Sequence, residues 1–198
     1  MIQPIVEGVA ELEALPVLLR RMAAAMHLPN FELGRPIRCK RSLLLKPDEL
    51  EKTIELARSR PGCRGILIVF DADEFCPKNG ALPLQEQARM LAGRHLPCSV
   101  VVANKEYEAW FLASLESFGG NPYPGDPDGK RGAKEELERS LGIYYNAAAD
   151  QPSFSARMRL EAAYDRSRSF RKLTKEFRSL LRELGYAPAV WPTERADT

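Results

Sequence analysis

The sequence predicts an α/β protein with a small parallel sheet, and two apolar runs carry most of that prediction. Ile66 to Phe70 and Cys98 to Ala103 are largely apolar stretches bounded by turn residues, a pattern typical of strands buried on both faces. Strands that alternate with helical periodicity indicate a parallel sheet. At 198 residues the chain needs only one domain. We expect an α/β core over residues 1–118, followed by a loop and a helical appendage over residues 119–198.

The elements before the first apolar run follow from local signals. A first strand is predicted to close at Pro4 to Val6, and the apolar positions from Leu12 to Met26 recur at helical spacing. Pro36 to Cys39 is ambiguous and is a candidate edge strand. A second helix is predicted to begin at Pro47, with acids in its first turn, and to end before Pro61.

The second half of the chain is mostly helical in character. A helix is predicted across Leu84 to Arg94 and another from Glu106 to Phe118. Gly119 to Asp128 is rich in proline and glycine and is predicted to be a loop. Ala156 to Tyr164 and Arg168 to Leu184 predict the helices of the C-terminal appendage.

Composition places the chain among ordinary globular proteins, with 44% hydrophobic and 28% charged residues. Its apolar runs are far shorter than the roughly 20 residues that span a bilayer. The N-terminal segment lacks the basic start and apolar run of a secretory signal. We therefore expect a cytoplasmic protein without a membrane partner. The four cysteines are scattered, without a CxxC pair, and are predicted to be buried free thiols.

Acidic residues follow three of the predicted strands, at the points where those strands end. They are Glu7 with Glu11 after the first strand, Asp71 and Asp73 after the third, and Glu106 with Glu108 after the fourth. Ligand sites of open parallel sheets lie beyond the carboxyl ends of the strands, so these acids are expected to share one edge. Clustered carboxylates repel one another, and a hard cation such as Mg²⁺ or Mn²⁺ relieves that repulsion.

Several of these side chains have an ordinary structural interpretation as well. Glu106 and Glu108 are metal-ligand candidates, but they also fit acids in the first turn of a helix, where the macrodipole favours negative charge. Lys105 is a candidate for contact with a scissile phosphate, and a solvated surface position is the alternative. Both interpretations stay open at the level of the sequence.

Four sequence blocks together resemble a known family. They are VEGVAELEALPVLLRR, ILIVFDADEFCP, VVVANKEYEAWFLAS and SFRKLTKEFRSLL, in that order. The combination resembles the DUF4276 family, whose members look like small TOPRIM domains related to the nuclease part of OLD-family proteins. The resemblance covers nearly the whole chain and implies a TOPRIM-like fold, a small parallel sheet flanked by helices with the helical C-terminal appendage.

The resemblance also implies a site and an activity. Its glutamate after the first strand corresponds to Glu7, its DxD to Asp71 and Asp73, and the second acid of the VEGxxE form to Glu11. It implies a Mg²⁺-dependent phosphodiesterase that acts on nucleic acid, with DNA favoured, and an ATPase partner in bacterial defence against phage. In such a site the acids hold one or two ions that orient the attacking nucleophile. Tyr107 is predicted to pack in a helix, so hydrolysis is preferred over strand passage.

The C-terminal segment carries a basic stripe that suits a polyanion. Arg157 to Arg182 contains nine Lys or Arg against three Asp or Glu, and helical spacing gathers its basic residues opposite an apolar face. The nucleic-acid-binding candidates are Arg168, Arg171, Lys175, Arg178 and Arg182. A phosphate-backbone track is the functional interpretation, and a solvated charged face is the alternative.

Two other functions compete with a nuclease. One is a non-catalytic TOPRIM-like module that binds nucleic acid or a partner protein. The other is a glycosyltransferase, because an apolar strand that ends in DxD also holds the metal of a nucleotide-sugar. The chain is short for separate donor and acceptor sites, and a glycosyltransferase leaves VEGVAE unexplained. The nuclease interpretation is therefore preferred.

Overall fold

The predicted α/β class and parallel sheet are confirmed by the computed structural model, which describes residues 1–72 and 77–192. Its four strands run parallel in the order β2-β1-β3-β4. Their bounds are Ile2–Val6 for β1, Ile37–Arg38 for β2, Gly65–Asp71 for β3 and Cys98–Ala103 for β4. The candidate edge strand is thus real, although only two residues long.

Helices cover both faces of this sheet. Their bounds are Glu11–Ala25 (α1), Arg41–Leu44 (α2), Pro47–Arg58 (α3), Pro77–Ala92 (α4), Glu108–Leu112 (α5), Ala133–Leu141 (α6), Ala147–Arg157 (α7), Leu160–Arg166 (α8) and Arg168–Glu183 (α9). Short 3₁₀ helices occupy Leu115–Phe118 and Pro127–Gly129. Within the described residues, none of these helices is both long enough and apolar enough to cross a membrane.

The alternation of side chains along the strands divides the core into two layers. Val6 and Val69 face one layer, which α1, α5 and α9 complete with fully buried residues. Ile5 and Ile68 face the other layer, which α3 and α4 close. Both faces are apolar because a parallel sheet is covered on both sides.

The helical C-terminal part is confirmed, and it packs directly into the core of the sheet. Helix α7 lies against α1, and α9 lies against β4. Ser99 on β4 donates a 3.0 Å hydrogen bond to Glu176 on α9. Arg64, directly before β3, donates to the main-chain oxygen of Leu184 at 2.9 Å. Helix α9 therefore runs antiparallel to the strands, with its C-terminal end at the amino edge of the sheet.

Two predicted helices are interrupted in the structure, and the helix predicted across Leu84 to Arg94 is Pro77–Ala92 instead. The predicted helix Glu106 to Phe118 breaks at Ser114, whose hydroxyl turns back onto the carbonyls of Trp110 and Phe111. The predicted helix Ala156 to Tyr164 is split between α7 and α8, because Met158 adopts an extended ψ of 143°. Helix α6 was not predicted. It begins after a left-handed glycine and lacks the usual Ser, Thr, Asp or Asn cap.

Candidate functional site

Glu7 and Asp71 lie at the carboxyl ends of neighbouring strands. Val6 pairs with Val69, so Glu7 is one residue and Asp71 two residues beyond the same rung of the sheet. Asp71 in turn pairs with Ala103, the last residue of β4. The ends of β1, β3 and β4 therefore meet at one edge, where ligand sites of parallel sheets occur. Asp73, the second acid of the DxD, lies outside the described residues.

Glu11 folds back onto the turn that joins β1 to α1. Its carboxylate accepts a hydrogen bond from the main-chain N–H of Gly8. A Cβ at position 8 would lie 2.5 Å from Glu11 Oε2, so a larger residue there would displace this carboxylate from its present position. Burial raises the pKa of Glu11, the Gly8 hydrogen bond opposes that rise, and the charge of Glu7 adds to it. The spacing of the EGVAE segment is thus explained by a closed turn that brings two carboxylates together.

Glu106 accepts hydrogen bonds at the start of helix α6. Its two carboxylate oxygens receive the main-chain N–H groups of Gly132 at 2.9 Å and Lys134 at 3.1 Å. These are among the N–H groups that a helix cannot satisfy internally. Glu106 therefore fastens α6 to the end of β4, which is a structural use of the carboxylate.

Glu108 belongs to a buried polar network between α5 and α7. It is 6% exposed and accepts from the Tyr145 hydroxyl at 3.1 Å and the Gln151 amide at 3.2 Å. Burial raises its pKa, and the hydrogen bonds from Tyr145 and Gln151 partly oppose that rise. Glu108 is also in the first turn of α5, so the alternative of a helix-start acid fits its position.

The buried hydroxyl of Tyr107 lies within electrostatic range of several of these acids. It shares a 3.0 Å hydrogen bond with Ser155 on α7. Burial raises the pKa of Tyr107, and the charges of Glu11, Glu108 and Asp71 raise it further. Tyr107 also packs against Trp110 and Phe111. Acids from α1, α5 and β3 thus act electrostatically on one buried phenol that packs in the core.

Lys105 has an unusual backbone conformation at the same edge. It follows β4 by two residues and has a φ of 67°, which is uncommon for a residue other than glycine. Strained conformations of this kind occur more often at functional sites than elsewhere. Its partly buried side chain lies in the turn that leads from β4 to Glu106.

Two arginines that sequence reasoning overlooked lie beside the strand-end acids. Arg38 donates to the main-chain oxygen of Glu7 at 3.3 Å, and Arg41 donates to that of Asp71 at 3.0 Å. With the exposed Lys40 they place positive charge at the carboxyl end of β2. The signal was the segment RCKRS, which begins within the candidate edge strand and runs past its end. Basic residues at a strand end deserved the same weight as acids.

No group of three or more His, Cys, Asp or Glu side chains is arranged to hold a metal ion within residues 1–72 and 77–192. Mg²⁺ is usually bound by one or two carboxylates, and water and substrate phosphates complete its octahedron. Glu7 and Asp71 supply oxygen donors of that chemistry at one edge. Glu7 and Asp71 are thus candidates to supply two of the donors of such a site.

The chain was compared with protein families, curated proteins and solved structures. None of the three comparisons found a match. The family resemblance therefore stays a prediction that rests on the four sequence blocks.

The basic residues of α9 are partly engaged within the fold. Arg171 donates to the main-chain oxygens of Tyr164 and Asp165, and Arg168 pairs with Asp126 at 3.3 Å. Three members of the predicted stripe, Arg168, Lys175 and Arg182, are exposed, and Arg178 is half-buried. Because α9 is antiparallel to the strands, Arg182 is near the amino edge of the sheet, away from the strand-end acids.

Proposed function

We propose that this chain is a metal-dependent phosphodiesterase that acts on nucleic acid, with DNA as the favoured substrate. The observation that carries the proposal is the position of Glu7 and Asp71 at adjoining carboxyl ends of parallel strands. Glu11 adds a third carboxylate that is electrostatically coupled to Glu7. Arg38 and Arg41 bring positive charge to the same place.

The roles of the residues follow from their chemistry. Glu7 and Asp71 would hold Mg²⁺ or Mn²⁺, with Asp73 as a further candidate ligand. When bound, such an ion neutralises phosphate charge and makes water a better nucleophile. Glu11 keeps the β1–α1 turn closed through Gly8 and so orients the neighbouring Glu7. Lys105, Arg38 and Arg41 are candidates for holding phosphate oxygens.

A non-catalytic nucleic-acid-binding module is the second candidate, and the buried or capping acids favour it. Glu106 is used to cap α6, and Glu108 accepts hydrogen bonds from Tyr145 and Gln151. Glu11 likewise accepts from the main-chain N–H of Gly8, so at least three of the six candidate metal ligands have partners within the fold. An ATPase partner and a part in phage defence, which the resemblance implies, belong to either version of the proposal.

Cleavage assays distinguish the two candidates. The protein would be incubated with supercoiled plasmid, linear duplex and single-stranded DNA, with Mg²⁺, Mn²⁺ or EDTA. We expect metal-dependent cleavage by the wild type and loss of cleavage in Asp71→Asn, since the amide keeps the shape of the side chain but not its charge. Glu135→Gln, which changes an exposed acid on α6, is the matched control and should cleave normally. Binding without cleavage by the wild type would favour the binding module.

A further inference from the structure

A basic trough follows the exposed edge of the sheet along β2. Two grooves of about 570 and 550 Å³ share the wall formed by residues 33–36. Arg35 lines both grooves, Arg38 and Arg60 line the first, and Arg20 lines the second. The two grooves therefore adjoin each other at residues 33–36, and together they are called the trough.

At one end the trough reaches Arg38, whose side chain contacts the main chain of Glu7. Arg60 precedes β3 and lies at the amino edge of the sheet, whereas Arg38 closes β2 at the carboxyl edge. Arg38 is in register with Val6 and donates to the carbonyl of Glu7. Strand β1 beside the trough covers about 13 Å at roughly 3.3 Å per residue. A linear polyanion in the trough would therefore reach Glu7 with one of its ends.

The charge of the trough is strongly one-sided. Arg20, Arg35, Arg38 and Arg60 are all exposed, and Glu13 is the acid that lines the second groove. Concave surfaces lined by one sign of charge concentrate ligands of the opposite charge. The remaining walls are mainly aliphatic and proline side chains such as Leu33 and Pro36, which offer no hydrogen bonds for reading base edges. Contact with the repeating backbone of a ligand is therefore the interaction that the trough favours.

We infer that this trough binds the sugar–phosphate backbone of a nucleic-acid strand and leads it to Glu7 and Asp71. The inference rests on the proposed function, because it names the surface by which that substrate reaches the site. It assigns phosphate contacts to Arg20, Arg35, Arg38 and Arg60. The arginine fork suits phosphate oxygens in a bidentate geometry.

The test is binding of labelled oligonucleotides in EDTA, measured by fluorescence anisotropy at several NaCl concentrations. The variant is Arg20→Gln/Arg35→Gln, whose two side chains are exposed and lie away from the strand-end acids. Each lost phosphate contact lowers the log–log salt slope by about 0.7 for single strands, so we expect a loss of about 1.4. The loss should be the same for two unrelated sequences.

The matched control is Arg94→Gln/Arg139→Gln, which removes the same charge from exposed positions outside the trough. Its slope should stay close to that of the wild type. An equal loss in both double variants would reduce the effect to net charge and overturn the inference. Absence of oligonucleotide binding by the wild type at low salt would overturn it as well. Displacement of the oligonucleotide by polyglutamate of equal charge, at equal concentration, would assign the trough to an acidic protein instead.

Parallel cleavage assays with Mg²⁺ separate this inference from the proposed function. Binding that depends on the trough arginines, without any cleavage, would support the inference about the trough and contradict the proposed hydrolytic activity. Cleavage that is unchanged in Arg20→Gln/Arg35→Gln at limiting substrate would support the proposed activity and contradict the inference that the trough guides the substrate.

Discussion

Replacement of Asp128 by alanine is expected to destabilise the protein more than the replacement of any neighbouring acid. Asp128 is fully buried in a segment rich in glycine and proline. It accepts hydrogen bonds from the Ser167 hydroxyl at 2.7 Å and from the Ser169 hydroxyl and main-chain N–H, both at 2.9 Å. Ser169 also accepts from the indole of Trp110 at 2.8 Å. The carboxylate thus ties the loop that contains Asp128 to the start of α9, and Ser169 links that start to α5, the helix that carries Glu108.

The magnitude follows from these contacts. A hydrogen bond to a charged group contributes about 1.5–3 kcal/mol, and contributions within one network do not add fully. Three donors lose their acceptor in a buried place, so we expect Asp128→Ala to lower the free energy of unfolding by about 3–5 kcal/mol. At about 2–4 °C per kcal/mol for a chain of this size, the Tm should fall by about 10 °C.

Asp126→Ala is the matched control for this experiment. Asp126 lies two residues earlier in the same loop, with its side chain 54% exposed, and it pairs with Arg168. Its carboxylate also receives the N–H of Asp128 at 3.0 Å, so its loss should cost about 1 kcal/mol. Urea and thermal unfolding would be measured for both variants. Equal destabilisation by the two substitutions would refute the account of the Asp128 network.

Three further predictions concern the acids and the basic helix. Glu106→Ala should destabilise the protein by about 1 kcal/mol, because it removes the cap of α6. The affinity for Mn²⁺, measured by calorimetry, should stay unchanged. A large loss of that affinity would make Glu106 a metal ligand. The pKa of Glu108 is raised in the folded state, so as the pH rises above 4.5 the carboxyl loses its proton in the unfolded chain before it does so in the folded protein. The folded state therefore loses stability towards neutral pH. Glu108→Gln mimics the neutral acid, so its stability relative to the wild type should rise between pH 5 and pH 8 in urea unfolding with EDTA. If the difference in unfolding free energy between the two proteins does not depend on pH, the burial of a charged Glu108 is contradicted. Lys175→Gln/Arg182→Gln should lower the salt slope of duplex binding by about 1.8, and an unchanged slope would leave α9 as a solvated face.

The sheet could be predicted because its strands are defined by local sequence. Ile66 to Phe70 is wholly apolar and Cys98 to Ala103 has Ser99 as its one polar residue, so neither shows the alternation of a half-exposed strand. Both are buried strands in the structure. The acids at their ends could be located for the same reason. A strand end is a local feature, and the parallel topology then brings distant strand ends to one edge.

The partners of those acids could not be predicted, because they come from distant segments. Glu106 meets the start of α6, 26 residues further along the chain. Glu108 meets Tyr145 and Gln151, which are 37 and 43 residues away. No periodicity in the sequence links such positions. Asp128 was overlooked for a related reason: loop acids are ordinarily exposed, and its burial depends on the packing of α9.

Binding of Mn²⁺ to the metal-free protein tests the central claim most directly, because it examines the strand-end acids without assuming a substrate. Isothermal titration calorimetry would compare the wild type with Glu7→Gln/Asp71→Asn, and circular dichroism would verify that both are folded. The account predicts binding by the wild type and its loss in the double variant. Equal affinity of the two proteins for Mn²⁺ would contradict a metal site at the ends of β1 and β3.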